Sequence, residues 1–320
     1  MKYIKKIIVF VILLEVINLV VGVFYNGKDA FLSITGFNAP PLYYDMDSLY
    51  GVTRQKNTKQ IIQYPWGGVV NQINSYGFRD DEFTNEGTLV VGNSFVEGYG
   101  MNNEDRFSEK IEKELNTVIH NAGSGGVWTP IQGVVLLEHL VRAEKLDFDK
   151  IIFVMTPAEI INIGKRNPKN DSGRSYPYKK GEEIKFHKAK NNNFGDSLSL
   201  PNKVKRFCKS LLMFKVYNMF KYYGAAKVKA KTLEFDKYKL DWLFKKIEEQ
   251  ELNQVIDVVV INNLRRTKLA TIEEYNIDSE AIRFHVLQFP DELSNYFVSN
   301  GHLNEKGNTV LAELLQSVFK

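Results

Sequence analysis

Residues 151–155 read Ile-Ile-Phe-Val-Met, five apolar side chains in a row with no polar face. A strand points successive side chains to opposite faces, so such a run fits only where both faces are covered. Similar segments recur at Thr88–Val91 and Ile256–Ile261, and Thr117–His120 and Arg283–Phe289 read as two further strands. Between them the spacing changes to that of helices. Phe107, Ile111 and Leu115 share one face of Glu104–Leu115, Ile131–Leu146 follows Pro130 as a second helix, and Lys306–Phe319 closes the chain as a third. Strands alternating with helices imply right-handed crossovers and a parallel sheet with helices on both faces, a three-layer α/β architecture. Sites in such sheets form outside the carboxyl ends of the strands. Ser94, Gly126, Glu159 and Asn262 each lie just after a predicted strand and are expected on that edge.

Composition narrows the function classes. Of 320 residues, 44% are hydrophobic and 25% charged, which predicts a packed core rather than disorder. A net charge of +4 is small for this length and makes no general case for nucleic-acid binding. Cys208 is the one cysteine, so neither an intrachain disulfide nor a zinc site of several thiolates is expected. His120, His139, His187 and His285 have no metal-ligand spacing with one another. Neither a phosphate-binding loop nor a dinucleotide fingerprint is present, and no metal or cofactor is expected.

At the N-terminus, Lys2, Lys5 and Lys6 precede an apolar run from Ile7 to Tyr25. Its length is near the lower bound for a bilayer span, and the leading positive charge predicts that everything after it lies outside the cytoplasm. Glu15 interrupts the run at a cost of roughly 2.5–3.5 kcal/mol at a helix centre, which the surrounding Ile, Val, Leu and Phe offset. A cleaved signal peptide is the rival reading, but no small-x-small cleavage site follows. A buried soluble helix is disfavoured by the near absence of a polar face. Residues 1–25 are therefore expected to form a signal anchor, 26–87 an irregular extension of loops and short strands, and 88–320 the α/β domain. That domain carries an insertion at 164–241, polar and turn-rich at first and then basic, aromatic and helical over 203–223, which reads as a lid with a solvated lysine face, the alternative being contact with an anionic membrane surface or an acidic polymer.

Two distant stretches carry the chemistry. Val-Gly-Asn-Ser-Phe-Val-Glu-Gly at 91–98 puts Ser94 directly after a buried strand, and Asn-Gly-His-Leu-Asn-Glu-Lys-Gly at 300–307 puts His302 just before the last helix. A serine and an imidazole meeting at one sheet edge are the minimum equipment for nucleophilic attack on an ester. With Asn121-Ala122-Gly123-Ser124-Gly125-Gly126 after the second strand, and Asn74-Ser75-Tyr76-Gly77-Phe78-Arg79 upstream, the pattern resembles the SGNH (GDSL-type) hydrolases, in particular a membrane-anchored extracytoplasmic subgroup.

The resemblance implies a flavodoxin-like sheet, Ser94 as nucleophile, His302 as general base, and an oxyanion hole from the N–H groups of Ser94 and Gly126. It also marks departures. The family's Gly-Asp-Ser is Gly92-Asn93-Ser94 here. The asparagine expected after the third strand is replaced by Thr156-Pro157-Ala158-Glu159, with Asn162 one turn on as a possible substitute. The aspartate expected shortly before the histidine is replaced by Ser299 and Asn300, with Glu159 and Asp291 as alternative carboxylates. A literal Gly195-Asp196-Ser197-Leu198 follows a polar loop rather than a strand and lacks the required context. The implied activity is hydrolysis or transfer of O-acyl groups, acetyl above all, on a small molecule or an envelope polysaccharide. The alternative is a catalytically silent relative acting in polysaccharide binding or envelope assembly.

Overall fold

A computed structural model describes residues 6, 9–17, 20, 44–47, 49–64, 67–125, 128–165, 175–188, 231–264, 267–290, 292–297 and 301–320. Its centre is a sheet of five parallel strands, β5 (Thr88–Gly92), β6 (Ile119–Gly123), β7 (Lys150–Met155), β11 (Ile256–Asn262) and β13 (Ile282–Gln288), in the spatial order β13-β11-β7-β5-β6. Counted along these five strands alone, the order is 2-1-3-4-5 read from the β6 edge, the flavodoxin-like arrangement. The order reverses between β5 and β7, and a crevice opens at the carboxyl ends of strands at such a point.

The two-residue period of the strands divides the core. Leu89, Val91, Ile151, Phe153, Met155, Val258 and Val260 pack on one face. There they meet Ile131, Val134 and Leu137 of α2 (Pro130–Glu138) and Leu240, Leu243 and Phe244 of α4 (Lys237–Glu248). Val90, Ile152, Val154, Val259 and Ile261 face the other way, onto Phe107 and Ile111 of α1 (Phe107–Leu115) and Leu311 and Leu315 of α5 (Glu305–Phe319). The short helix α3 (Pro157–Asn162) follows β7.

Outside the sheet, β1 (Tyr44–Asp47) pairs with β2 (Gly51–Arg54), β3 (Thr58–Tyr64) with β4 (Gly67–Ile73), and β8 (Tyr176–Lys180) with β9 (Glu183–His187), all antiparallel. A short parallel pair joins β10 (Lys231–Leu233) and β12 (Thr267–Leu269). Tyr50 and Phe78 from the N-terminal region are fully buried against the first face of the sheet, and Gln132 of α2 donates to the Tyr50 carbonyl at 2.8 Å.

Several elements differ in extent from the sequence expectation. The second core strand runs Ile119–Gly123 rather than Thr117–His120, because it pairs residue for residue with Thr88–Gly92 and so draws Asn121–Gly123 into the ladder. The helix expected over Ile131–Leu146 is α2 followed by a wider turn over His139–Ala143, and Lys145 leaves it with a φ of 57°. That expected over Glu104–Leu115 begins as one tight turn at Asn103–Asp105 and restarts at Phe107, because Arg106 is extended. The first part of the insertion, expected to be polar and turn-rich, folds over its described residues as the β8–β9 hairpin, and α4 starts before the expected boundary at 241. The basic aromatic stretch 203–223 and Gly195-Asp196-Ser197-Leu198 lie outside the described residues.

Near the N-terminus, residues 9–17 are helical, and Val9, Phe10, Ile12, Leu13, Val16 and Ile17 are all exposed. Residues 7, 8, 18, 19 and 21–25 of the expected 7–25 span lie outside the described residues, and among the described residues no helix is long and apolar enough to cross a membrane.

Candidate active site

Ser94 sits in the turn that leaves β5. The chain folds back at once: the Glu97 N–H bonds the Asn93 carbonyl at 3.0 Å and the Tyr99 N–H bonds the Ser94 carbonyl at 3.0 Å. The Asn93 Oδ1 accepts the Phe95 N–H at 2.8 Å, a local side-chain turn that holds the start of the loop. Gly123, at the end of β6, lets the two loops touch, since a side chain there would run into the backbone of Val96 and Glu97.

Long-range ties brace this loop. Arg79, from the Asn-x-x-Gly-Phe-Arg stretch, donates to the Gly98 carbonyl at 2.9 Å and also to the Met101 carbonyl. That stretch is itself folded by Asn74, whose Oδ1 accepts the Tyr76 and Phe78 N–H groups at 3.1 and 3.0 Å, with Gly77 at a φ of 89°. Asp80 accepts the Asn121 N–H at 2.7 Å and pairs with Arg106 at 3.1 Å. Burial pushes the Asp80 carboxyl up to about 7, against the opposing pull of Arg106 and the Asn121 N–H. Arg54 of β2 pairs with Glu97 through two N–H groups, one at 2.8 Å, and both side chains are buried. Asn121 completes the brace by donating to the Val96 carbonyl at 2.8 Å and to Ser108 at 2.9 Å, while its Oδ1 accepts the Gly123 N–H.

His302 reaches the same rim from the other end of the chain. Its carbonyl accepts the Phe297 N–H at 2.8 Å, and Leu303 bridges Tyr296. Asn304 then caps α5, with Oδ1 accepting the Gly307 N–H at 3.0 Å and Nδ2 donating to the Ser294 carbonyl at 2.7 Å. The imidazole lies against two rings, Tyr99 with centroids 4.5 Å apart and Phe95 at 5.3 Å. The result is a hydrogen bond of 2.9 Å between Ser94 Oγ and His302 Nε2, across 208 positions of sequence. Both residues are half-buried. The Ser94 N–H makes no hydrogen bond to the described residues and is available to an oxyanion.

Beside the pair is a cavity of about 470 Å³ lined by, among others, Asn93, Ser94, Trp128, Thr156, Glu159 and Asn162. Such a volume is within the range of small-molecule sites. Glu159 lies in its wall and accepts two hydrogen bonds from Thr156, at 2.8 Å from the N–H and 2.9 Å from the hydroxyl, with the Asn93 side chain as a further hydrogen-bond partner. It is the third residue of α3, and with Thr156 it forms a reciprocal cap of that helix. Burial raises its carboxyl to about 7, opposed by the Thr156 bonds and by the nearby Asn93 side chain. Glu159 is thus occupied by its own helix rather than aimed at the imidazole. Asn162, at the end of α3, is exposed on the cavity rim. Gly126, Asp291, Ser299 and Asn300 lie outside the described residues. Among the described residues no group of His, Cys, Asp and Glu is arranged to hold a metal ion.

Sequence reasoning singled out the Arg79 stretch without its role, and did not single out Arg54, Asp80 or Arg106. An isolated Arg54 in an irregular segment carries no signal, whereas three ionic side chains at 79, 80 and 106 flanking the serine loop were the readable hint.

No model of a known protein family matches the chain, and no curated protein matches it. Among solved structures it is similar to a member of the lipolytic G-D-S-L family from Veillonella parvula, at 12% identity and a TM-score of 0.36, over 73% of this chain and 98% of that one. It is also similar to a lipolytic protein of the G-D-S-L family from Desulfitobacterium hafniense, at 12% identity and a TM-score of 0.31, over 73% and 99% of the two chains. A third likeness is to AlinE4, an SGNH-hydrolase family esterase, at 12% identity and a TM-score of 0.23, over 62% and 86%. This chain's own strand order is that of a flavodoxin-like α/β sheet, and that sheet brings a serine and a histidine together at its rim.

Proposed function

We propose that the protein is a serine esterase or O-acyl transfer enzyme, held at a membrane by its N-terminal segment with the α/β domain outside the cytoplasm. The observation that carries the reading is the 2.9 Å contact between Ser94 Oγ and His302 Nε2 at the strand-order reversal, beside an open cavity. In this mechanism Ser94 Oγ bonds to the acyl carbon while its proton passes to His302 Nε2. The carbonyl π pair moves onto oxygen, where the N–H groups of Ser94 and Gly126 receive it. Collapse expels the alcohol, which takes the proton from His302. Water, or a second alcohol in transfer, then attacks the acyl-enzyme with His302 again as base, freeing Ser94.

The substrate class proposed is an O-acylated, chiefly acetylated, small molecule or envelope polysaccharide. The cavity's lining is mixed, with Thr129, Thr156, Asn162 and Lys165 able to meet hydroxyl groups and Phe95, Trp128 and Leu264 able to meet a short acyl group or a sugar face. Membrane attachment is supported by the exposed apolar side chains of residues 9–17 and the lysines before them. Turnover of p-nitrophenyl acetate by the full chain, compared with Ser94→Ala and His302→Ala, tests the chemistry. A drop of about 10⁴-fold or more in both variants is expected. Equal rates in all three would leave a polymer-binding or assembly role, the reading favoured by the altered residues at 93, 156–159 and 300. Retention of the full chain in the membrane fraction through a high-salt wash, lost on deleting residues 1–25, tests the anchor.

A further inference from the structure

We infer that Tyr99 is a positioning residue for the general base: the face of its ring holds the His302 imidazole in line with Ser94 and favours the imidazolium that forms when His302 takes the serine proton. This rests on the esterase reading above, which makes His302 the group that gains charge. The two rings are stacked rather than edge-on, with centroids 4.5 Å apart and planes 30° from parallel. The Phe95 ring is a second, more distant neighbour of the imidazole, at 5.3 Å and 32°.

The backbone places Tyr99 with respect to the nucleophile. Its N–H bonds the Ser94 carbonyl at 3.0 Å, and Ser94 Oγ bonds His302 Nε2 at 2.9 Å, so ring, nucleophile and base form one closed circuit. Gly98 and Gly100 on either side have φ of 66° and 84°, left-handed values that a tight turn needs and glycine adopts freely. The turn is then fixed from outside. Arg79 donates to the carbonyls of Gly98 and Met101, which bracket it, and the Met101 N–H bonds the Gly98 carbonyl at 3.0 Å. The stem of the buried Arg106 packs so close to Gly98 that a side chain there would run into it. The distant ties of the serine loop therefore end on the residue that touches the base.

Before reaction the imidazole is neutral and the ring face does little for it. As Ser94 Oγ bonds to the acyl carbon, its proton passes to His302 Nε2 and the imidazole becomes a cation. An aromatic face carries negative potential and attracts a cation within about 6 Å of its centroid, more strongly where water is kept away. Tyr99 and His302 are both half-buried. The attraction appears with the charge and ends when the proton goes to the departing alcohol. It lowers the barrier without tightening substrate binding.

The test is a series at position 99 in the full chain, assayed with p-nitrophenyl acetate. Tyr99→Phe keeps the ring and is expected to retain most of the wild-type kcat. Tyr99→Leu keeps an apolar body without a ring face, and is expected to lower kcat by about 3- to 30-fold with KM little changed. Phenylalanine carrying first one and then three ring fluorines, incorporated in place of Tyr99, keeps the shape and drains the ring face. There kcat is expected to fall stepwise with the melting temperature unchanged. A fluorinated series at constant kcat means that the ring only packs, and overturns the inference whatever Tyr99→Leu does. Wild-type kcat in Tyr99→Leu, or a loss in Tyr99→Phe as large as that in Tyr99→Leu, overturns it as well, and each leaves Ser94 and His302 in place. A wild-type chain as slow as Ser94→Ala removes the esterase reading itself, and this inference with it.

Discussion

The loop after β5 and the segment after β7 stand side by side at the same rim, yet they are held in different ways. The first is tied down from afar. Arg79 holds its carbonyls, Arg54 holds Glu97, and Asp80 with Asn121 locks it to β6. The second is held first by its own cap, one threonine and one glutamate three residues apart, and has fewer distant ties: Lys239 donates to the Ile161 carbonyl at 2.6 Å and the Asn93 side chain meets Glu159. A loop that must present a nucleophile within about half an ångström needs supports that do not move with it. A self-capped helix needs only to be a helix. The comparison teaches that the N-terminal region, Tyr50 to Arg79, is part of the site's framework, and that the altered segment after β7 has become scaffold.

If so, the largest effect on stability comes from breaking a distant tie. Arg54→Met leaves the buried Glu97 carboxylate uncompensated and is expected to cost about 3–5 kcal/mol, most of it recovered in the double variant Arg54→Met/Glu97→Met. Urea unfolding of the single and double variants measures this. A loss under 1 kcal/mol would mean that the N-terminal region is an appendage to the site rather than its frame.

An intermediate effect belongs to Glu159. Its folded carboxyl is raised from 4.5 to about 7, so folding favours the protonated form. Stability from this group is present below about pH 4.5 and is lost as pH rises through 7. Glu159→Gln keeps an oxygen for Thr156 and removes the titration. It is expected to be more stable than wild type at pH 8, by on the order of 2–3 kcal/mol, and equal to it near pH 4. Asp80, raised to about 7 by burial, adds to the same pH window in both proteins and cancels in the difference. A melting-temperature difference between the two proteins that does not change with pH would contradict the assignment. The smallest effect is that of Thr156→Ala, about 1 kcal/mol for a lost helix cap, with no change in the Arg54–Glu97 coupling energy. Coupling between these sites in a double-mutant cycle would break the separation drawn here.

The extent to which the chain was legible follows from the range of the interactions. β7 is visible in the sequence because five apolar residues in a row have only one comfortable place, between two helical layers. β6 was misplaced by two to three residues because its limits are set by pairing with β5, which no local pattern records. The restart of α1 at Phe107 has its cause in Arg106, extended where its guanidinium meets Asp80 and the Arg79 carbonyl. Ser94 and His302 could be paired from sequence because each sits next to an element with a clear periodicity. Arg54 could not, since a single arginine among turns looks like any surface residue until the partner at 97 is buried over it. Glu159 read as a loose carboxylate near the site because the capping box, Thr followed three residues later by Glu, went unrecognised, although that pattern was present in the sequence.

The most direct measurement is covalent labelling of the full chain with a fluorophosphonate, in which the serine oxygen displaces fluoride from phosphorus, followed by mapping of the modified peptide. The account predicts one label per chain, on Ser94, with labelling lost in His302→Ala. A chain that takes no label, or one that is labelled at Ser197 and unchanged by Ser94→Ala, would contradict it.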